Sequence, residues 1–184
     1  MFQDLIPLFS NNIELVKDRD FLNHIEPVVI DGIDVGKFCI HFDANSPIKY
    51  HLILRMGRVS DRSGGEMVFD MTEGTIDIIK VSDKNCYKIT TNIALLSKPM
   101  IDVGSILDKN IPTGNFMIDP RTNHILLNLS STYDPREHRR IWNFSKNEEV
   151  ILPLKHIIAK TAIISIGEPK EETLCFRLID SPSE

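Results

Sequence analysis

From Val28 onward the chain is a succession of short apolar runs separated by Gly, Pro, Asn and Asp turn signals, recurring roughly every 8–12 residues. The clearest pair is Phe38, Ile40 and Phe42, interleaved with Cys39 and His41, followed by Tyr50, Leu52, Leu54 and Met56, interleaved with His51, Ile53 and Arg55. Successive side chains of a strand point to opposite faces, so strict alternation is the signature of a sheet with one buried face. Asn45-Ser46-Pro47 between the runs is a turn signal. If Phe42 faces Tyr50, then Ile40 faces Leu52 and Phe38 faces Leu54, and all six share the buried face.

Other segments read in the same way. Asp31-Gly32, between Val28–Ile30 and Ile33–Phe42, suits a two-residue type I′ hairpin, whose central positions need positive φ. Ile33 and Val35 are odd-numbered while Phe38, Ile40 and Phe42 are even, and a bulge at Gly36 reconciles the two phases. Met67–Met71, Thr75–Val81, Cys86–Thr91 and Ile93–Leu96 follow as strands, with turns at Glu73-Gly74 and Ser82–Asn85. Phe116–Ile118 and His124–Leu129 flank Asp119-Pro120-Arg121-Thr122-Asn123, where proline pre-sets the turn. Arg140–Phe144, Glu149–Leu154, Lys160–Ile166 and Thr173–Ile179 complete the set. Asp102–Asn110 suits one helical turn capped by Asp102.

The first 26 residues carry a helical period instead. Phe2, Leu5, Ile6, Phe9, Ile13 and Val16 recur at three- or four-residue steps, with a break at Ser10-Asn11-Asn12 and a stop at Pro27. The expected organisation is a helical segment over residues 1–26 and a β-rich domain over residues 27–184. The fold class is mainly β: an antiparallel sandwich or barrel-like body of ten or more short strands, with a short N-terminal helical segment. Strands do not alternate with long helices, which argues against a doubly wound parallel sheet.

Composition agrees with that class. Isoleucine supplies about one residue in seven and alanine is scarce, a balance that favours sheet over helix. The isoleucine bias also fits AT-rich coding, as in many viruses and low-GC microbes. Apolar residues make up 42% and charged residues 26% of 184, which excludes a fibre and a wholly disordered chain. No apolar run approaches the length of a spanning helix, and Met1-Phe-Gln-Asp lacks a basic leader, so the expected setting is cytoplasmic. Cys39, Cys86 and Cys175 are an odd number without close spacing, which suits reduced thiols rather than a disulfide framework or a CxxC zinc site. The net charge of -5 disfavours generic binding to polyanions.

Three groups of residues carry candidate chemistry. The hairpin register sets His41 opposite His51 and aims Cys39, His41 and Asp43 to one side, a donor set able to hold zinc or activate a thiolate. The plainer reading of the same residues is the polar outer face of a sheet. Arg55, Arg58 and Arg62, with Arg136, Arg139 and Arg140 near Trp142 and Phe144, form two arginine-rich stretches suited to phosphate or RNA. Asp134 and Glu137 interrupt the second stretch, as in an ordinary solvated loop. Phe2, Leu5 and Phe9 form an apolar stripe suited to docking on a partner or to packing on the protein's own sheet.

No GxSxG, HExxH, GxGxxG or EF-hand pattern occurs. The leading expectation is a non-enzymatic interaction or assembly protein, of the kind that serves as a viral structural or accessory protein or as a bacterial adaptor or immunity protein. It would act through a protein partner or self-association and without a cofactor. An RNA- or phosphate-binding module and a small Cys/His-centred metalloprotein or enzyme are the alternatives.

Overall fold

The alternating runs become strands. The structure is a computed structural model and describes residues 8–9, 13–16, 21–43, 45, 49–60, 64–96, 113–119, 121–130, 138–153, 162–163, 166–168, 170 and 173–178. In chain order the strands are β1 (Leu8–Phe9), β2 (Ile13–Leu15), β3 (Ile25–Val28), β4 (Phe38–Asp43), β5 (Lys49–Arg58), β6 (Gly65–Asp70), β7 (Thr75–Lys80), β8 (Cys86–Ile89), β9 (Ile93–Leu96), β10 (Phe116–Asp119), β11 (His124–Asn128), β12 (His138–Asn143), β13 (Glu148–Pro153), β14 (Ala162–Ile163) and β15 (Leu174–Leu178). The chain is mainly β and its sheets are largely antiparallel, as expected.

It divides into two compact units, Met1–Leu96 with Gly167–Glu184, and Ser97–Ile166. The first unit holds a seven-stranded sheet in the order β3-β8-β4-β5-β6-β7, with β1 parallel to β5, and a three-stranded sheet in the order β2-β15-β9. The second holds a five-stranded sheet in the order β13-β12-β11-β10-β14. The β4–β5 register is the one the alternation implies: Phe42 faces Tyr50, His41 faces His51, Ile40 faces Leu52 and Phe38 faces Leu54.

The N-terminal helical segment is not found among the described residues. Among the described residues the region forms β1, β2 and a short 3₁₀ turn at Phe21–His24, and no α-helix occurs. A helix of fewer than about 12–15 residues is marginal on its own, and Ser10-Asn11-Asn12 splits the periodic stretch into shorter pieces. Short strand pairings take the described residues instead: β1 pairs with β5 over two residues and β2 with β15 over three. The helical turn expected at Asp102–Asn110 lies outside the described residues.

Asp31-Gly32 does not close a hairpin either. β3 pairs with β8, and Ile30–Gly32 is a 3₁₀ turn in which Gly32 N–H donates to Val29 O at 2.9 Å and Ile33 N–H to Ile30 O at 3.2 Å. Residues three apart on such a turn lie on one side, and here that side drives Ile30 and Ile33 into the core, 0% and 4% exposed. Gly36 does not bring the two phases onto one face: Ile33 packs with Cys39 and Ile53, opposite Ile40 and Leu52, and Gly36 is a turn residue with φ 83° that donates to Arg55 O at 2.7 Å ahead of β4.

Both faces of the large sheet carry buried apolar residues. Ile40, Leu52, Leu54 and Phe69 lie on one face, and Cys39, Ile53, Val68, Ile79 and Cys86 cluster on the other with Ile30 and Ile33. The second face is concave. Val81 N–H is bonded to Gly64 O, near the start of β6, while Asn85 O accepts from Phe42 N–H, at the far end of β4. Four chain steps reach at most about 14 Å. On a flat sheet, three strand spacings and the eight steps of β5 from Tyr50 to Arg58 would place those points roughly 30 Å apart. The sheet therefore curls, and Val81–Asn85 crosses its hollow side. The bulge between Arg55 and Gly57, with Gly57 at φ 129°, supplies part of the bend.

In the second unit, β10 and β11 form the hairpin expected around Asp119–Asn123. Asp119 Oδ1 accepts Arg121 N–H at 3.0 Å, and Asn123 takes φ 56°. Met117, Leu126 and Ile141 form one buried cluster, with Val150 and Leu152 packed against them, and Phe116, Leu127 and Trp142 are buried as well.

Candidate functional site

The β4–β5 ladder fixes His41 and His51 side by side on the concave face, with ring centroids 6.3 Å apart. Each imidazole is held by a carboxylate that comes from a turn. Asp70 ends β6: its Oδ1 accepts Thr72 N–H at 2.8 Å and Glu73 N–H at 3.1 Å, while Oδ2 lies 2.7 Å from His51 Nδ1. Asp83 sits in the β7–β8 crossing: its Oδ1 accepts Asn85 N–H at 2.8 Å, while Oδ2 lies 3.2 Å from His41 Nε2. The sequence reason is the same at both places. An aspartate that opens a turn bonds the backbone two residues on with one oxygen, and the other oxygen is left to orient a ring.

Burial and charge act on these groups in opposite senses. The hydrogen bond that His51 donates to Asp70 raises the His51 pKa, against the opposing effect of burial. Burial pushes Asp83 up, but the Asn85 backbone N–H and the His41 ring outweigh it and leave the carboxyl below its ordinary range. The side chains of His51 and Asp70 are 12% and 8% exposed, and those of His41 and Asp83 are 21% and 27% exposed.

These four residues line a cavity of about 560 Å³, whose walls also include Asp43, Asp77, Lys80 and Ser82 as polar groups and Ile53, Val68 and Ile79 as apolar surface. The structure brings His41 and His51 together but leaves Cys39 out of the polar group. Cys39 is fully buried in the apolar cluster beside Cys86. Burial raises the Cys39 thiol far above its ordinary range and pushes Cys86 up to about 12, so neither supplies a thiolate at neutral pH. Among the described residues no three His, Cys, Asp or Glu side chains gather as a metal site.

Four of the six candidate arginines lie among the described residues, two in each unit. Arg55 lies on the concave face in a buried pair, with Nη2 at 2.9 Å and Nε at 3.0 Å from Glu66 Oε2, and its guanidinium also donates to the carbonyls of Ile33 and Asp31. Arg58 is exposed, and Arg62 and Arg136 lie outside the described residues. In the second unit Arg139 is 2% exposed, and Arg140 Nη2 donates to Glu149 Oε2 at 3.0 Å. Phe2 and Leu5 lie outside the described residues, while Phe9 belongs to β1, opposite Tyr50 in the parallel ladder. Glu66, Asp70 and Asp83 escape a motif search. Strand parity was the available signal for Glu66, which shares a face with Val68, and turn chemistry was the signal for the two aspartates.

A second feature lies at the rim of the large sheet. Among the described residues β7 pairs only with β6, runs for six residues without proline, and carries Ile78 at 58% exposure. The opposite edge, β3, contains Pro27, which has no N–H to offer, and the outer edge of the five-stranded sheet, β13, ends in Pro153. No helix among the described residues is long and apolar enough to cross a membrane. No family model, curated protein or solved structure matches the chain.

Proposed function

We propose that the protein is a non-enzymatic assembly module that joins a second copy of itself through the free edge of β7. The observation that carries this reading is Ile78, 58% exposed on a six-residue edge strand paired on one side only among the described residues. Such an edge presents unpaired N–H and C=O groups and is a template for another strand. A two-fold axis through Ile78 pairs the two isoleucines, sets Asp77 opposite Ile79 and sets Ile76 opposite Lys80. The neighbouring register, centred on Asp77, would place two carboxylates face to face, which destabilises a sheet pair. The phosphate-binding alternative has lost two arginines to ion pairs, Arg55 with Glu66 and Arg140 with Glu149.

Light scattering on a size-exclusion column tests the proposal. Burying one Ile78 side chain contributes about 1.4 kcal/mol, so two contribute about 2.8 kcal/mol, and Ile78→Lys also sets like charges together. The dimer dissociation constant should rise at least about a hundredfold. A wild-type chain that stays monomeric as concentration rises, or an Ile78→Lys chain that dimerises like wild type, would overturn the reading.

A further inference from the structure

The cavity on the concave face has a charge balance that the fold does not require. Asp43, Asp70, Asp77 and Asp83 line it, against a single ammonium at Lys80. Each carboxylate spends part of its accepting capacity inside the protein: Asp43 on Asn45 N–H, Asp77 on the Thr75 hydroxyl, and Asp70 and Asp83 on their turns and rings. A carboxylate offers about four lone-pair sites, so each keeps room for a further donor. His41 and His51 each make one side-chain hydrogen bond among the described residues, which leaves each ring a second nitrogen. Beside the polar groups, Ile53, Val68 and Ile79 give a wall of aliphatic surface.

A concave site of about 300–1,000 Å³, apolar with a few convergent polar groups, is the ordinary form of a small-molecule pocket, and 560 Å³ falls within that range. The charge selects among ligands. An anion would be repelled, and a neutral ligand would cover carboxylates without supplying a compensating charge. A bare metal ion would find no cluster of three ligating side chains among the described residues. An ammonium or guanidinium group on a short aliphatic stem matches both halves, its head among the carboxylates and its stem on the isoleucine–valine wall. The geometry points to this cavity as a binding site for an organic cation of that class. The site lies within one copy of the chain but shares Asp77, Ile79 and Lys80 with the β7 edge, so it is probed at concentrations at which light scattering shows a monomer.

The test uses the full chain and three probes with similar stems: agmatine, N-butylurea and butyrate. The imidazole signals of His41 and His51 are followed by NMR, with His24 as an internal reference. Agmatine should shift the His41 and His51 signals saturably, N-butylurea should bind at least about tenfold more weakly, and butyrate should have no effect. Asp43→Asn/Asp77→Asn should weaken agmatine about tenfold or more. If that double variant loses its folded spectrum, Asp77→Asn alone decides, because Asp77 is exposed and, among the described residues, its side chain bonds only the Thr75 hydroxyl. No saturable shift with agmatine, equal binding of N-butylurea, a response to butyrate, or an affinity unchanged by the deciding variant would each overturn the assignment.

Discussion

Replacing Glu66 with alanine should destabilise the first unit more than any surface change, because it strands a buried guanidinium. The Glu66 side chain is 2% exposed and that of Arg55 is 12% exposed. Arg55 Nη2 and Nε both reach one Glu66 oxygen, and the same guanidinium donates to two carbonyls, Ile33 O and Asp31 O, beside the 3₁₀ turn. After Glu66→Ala the carbonyls remain, but no charge balances Arg55. Breaking a buried pair in this way costs about 3–5 kcal/mol. At roughly 2–4 °C per kcal/mol for a chain of this size, the melting temperature should fall by about 6–20 °C.

Arg55→Met/Glu66→Leu gives the opposite expectation. It removes both charges together, and replacing a buried pair with packed apolar groups is often neutral or stabilising. The two carbonyl bonds are lost, at about 1 kcal/mol each. The double variant should therefore lie within about 2 kcal/mol of wild type, well above Glu66→Ala. Urea unfolding followed by far-ultraviolet circular dichroism measures both variants. Fluorescence of Trp142, the sole tryptophan, reports on the second unit in the same samples. The reasoning fails if Glu66→Ala costs less than about 1 kcal/mol, or if the double variant costs the sum of the two single ones.

The His51–Asp70 hydrogen bond predicts a pH dependence of definite sign. The native His51 pKa is raised, so the native state holds this proton more tightly than the unfolded chain. The resulting stability is complete below the unfolded value of about 6.5 and is lost as pH rises through the native one. Urea midpoints of wild type minus those of His51→Gln should shrink over that window, and a difference that is flat or grows with pH would refute the assignment. The burial that pushes Cys86 up to about 12, and raises Cys39 further, predicts that neither thiol reacts with a disulfide reagent at neutral pH until the chain is unfolded. Rapid labelling of either in the native protein would contradict it.

Strand parity explains both what sequence could reveal here and what it could not. The Phe38–Met56 alternation is strict, and a one-residue slip would turn every apolar side chain to the wrong face. Register was therefore legible, and with it the meeting of His41 and His51. Parity breaks at a bulge. Arg58 differs in parity from Arg55, but the bulge between Arg55 and Gly57 pairs Arg58 with Glu66 and returns it to the face of Arg55 and Val68. Parity assigns a residue to a face but does not say what covers that face. The Cys39 face reads as outer and polar until Ile30 and Ile33 close over it, and those two depend on a 3₁₀ turn where Asp31-Gly32 suggests a hairpin.

The curl was hidden for a related reason. Ser82-Asp83-Lys84-Asn85 has the chemistry of a tight turn between neighbouring strands, and nothing local tells β8 to pair with β4 and β3 instead of β7. That choice is settled by burial at a distance, in a cluster that includes Ile79 and Cys86 from strands that do not touch in the ladder. Once it is made, the few residues of Val81–Asn85 must cross the hollow side, and Asp83 is carried to His41. One of the two carboxylates that orient the histidines therefore follows from the sheet's topology. The other, Asp70, follows from a local turn, which is why only one half of the site lay within reach of local reasoning.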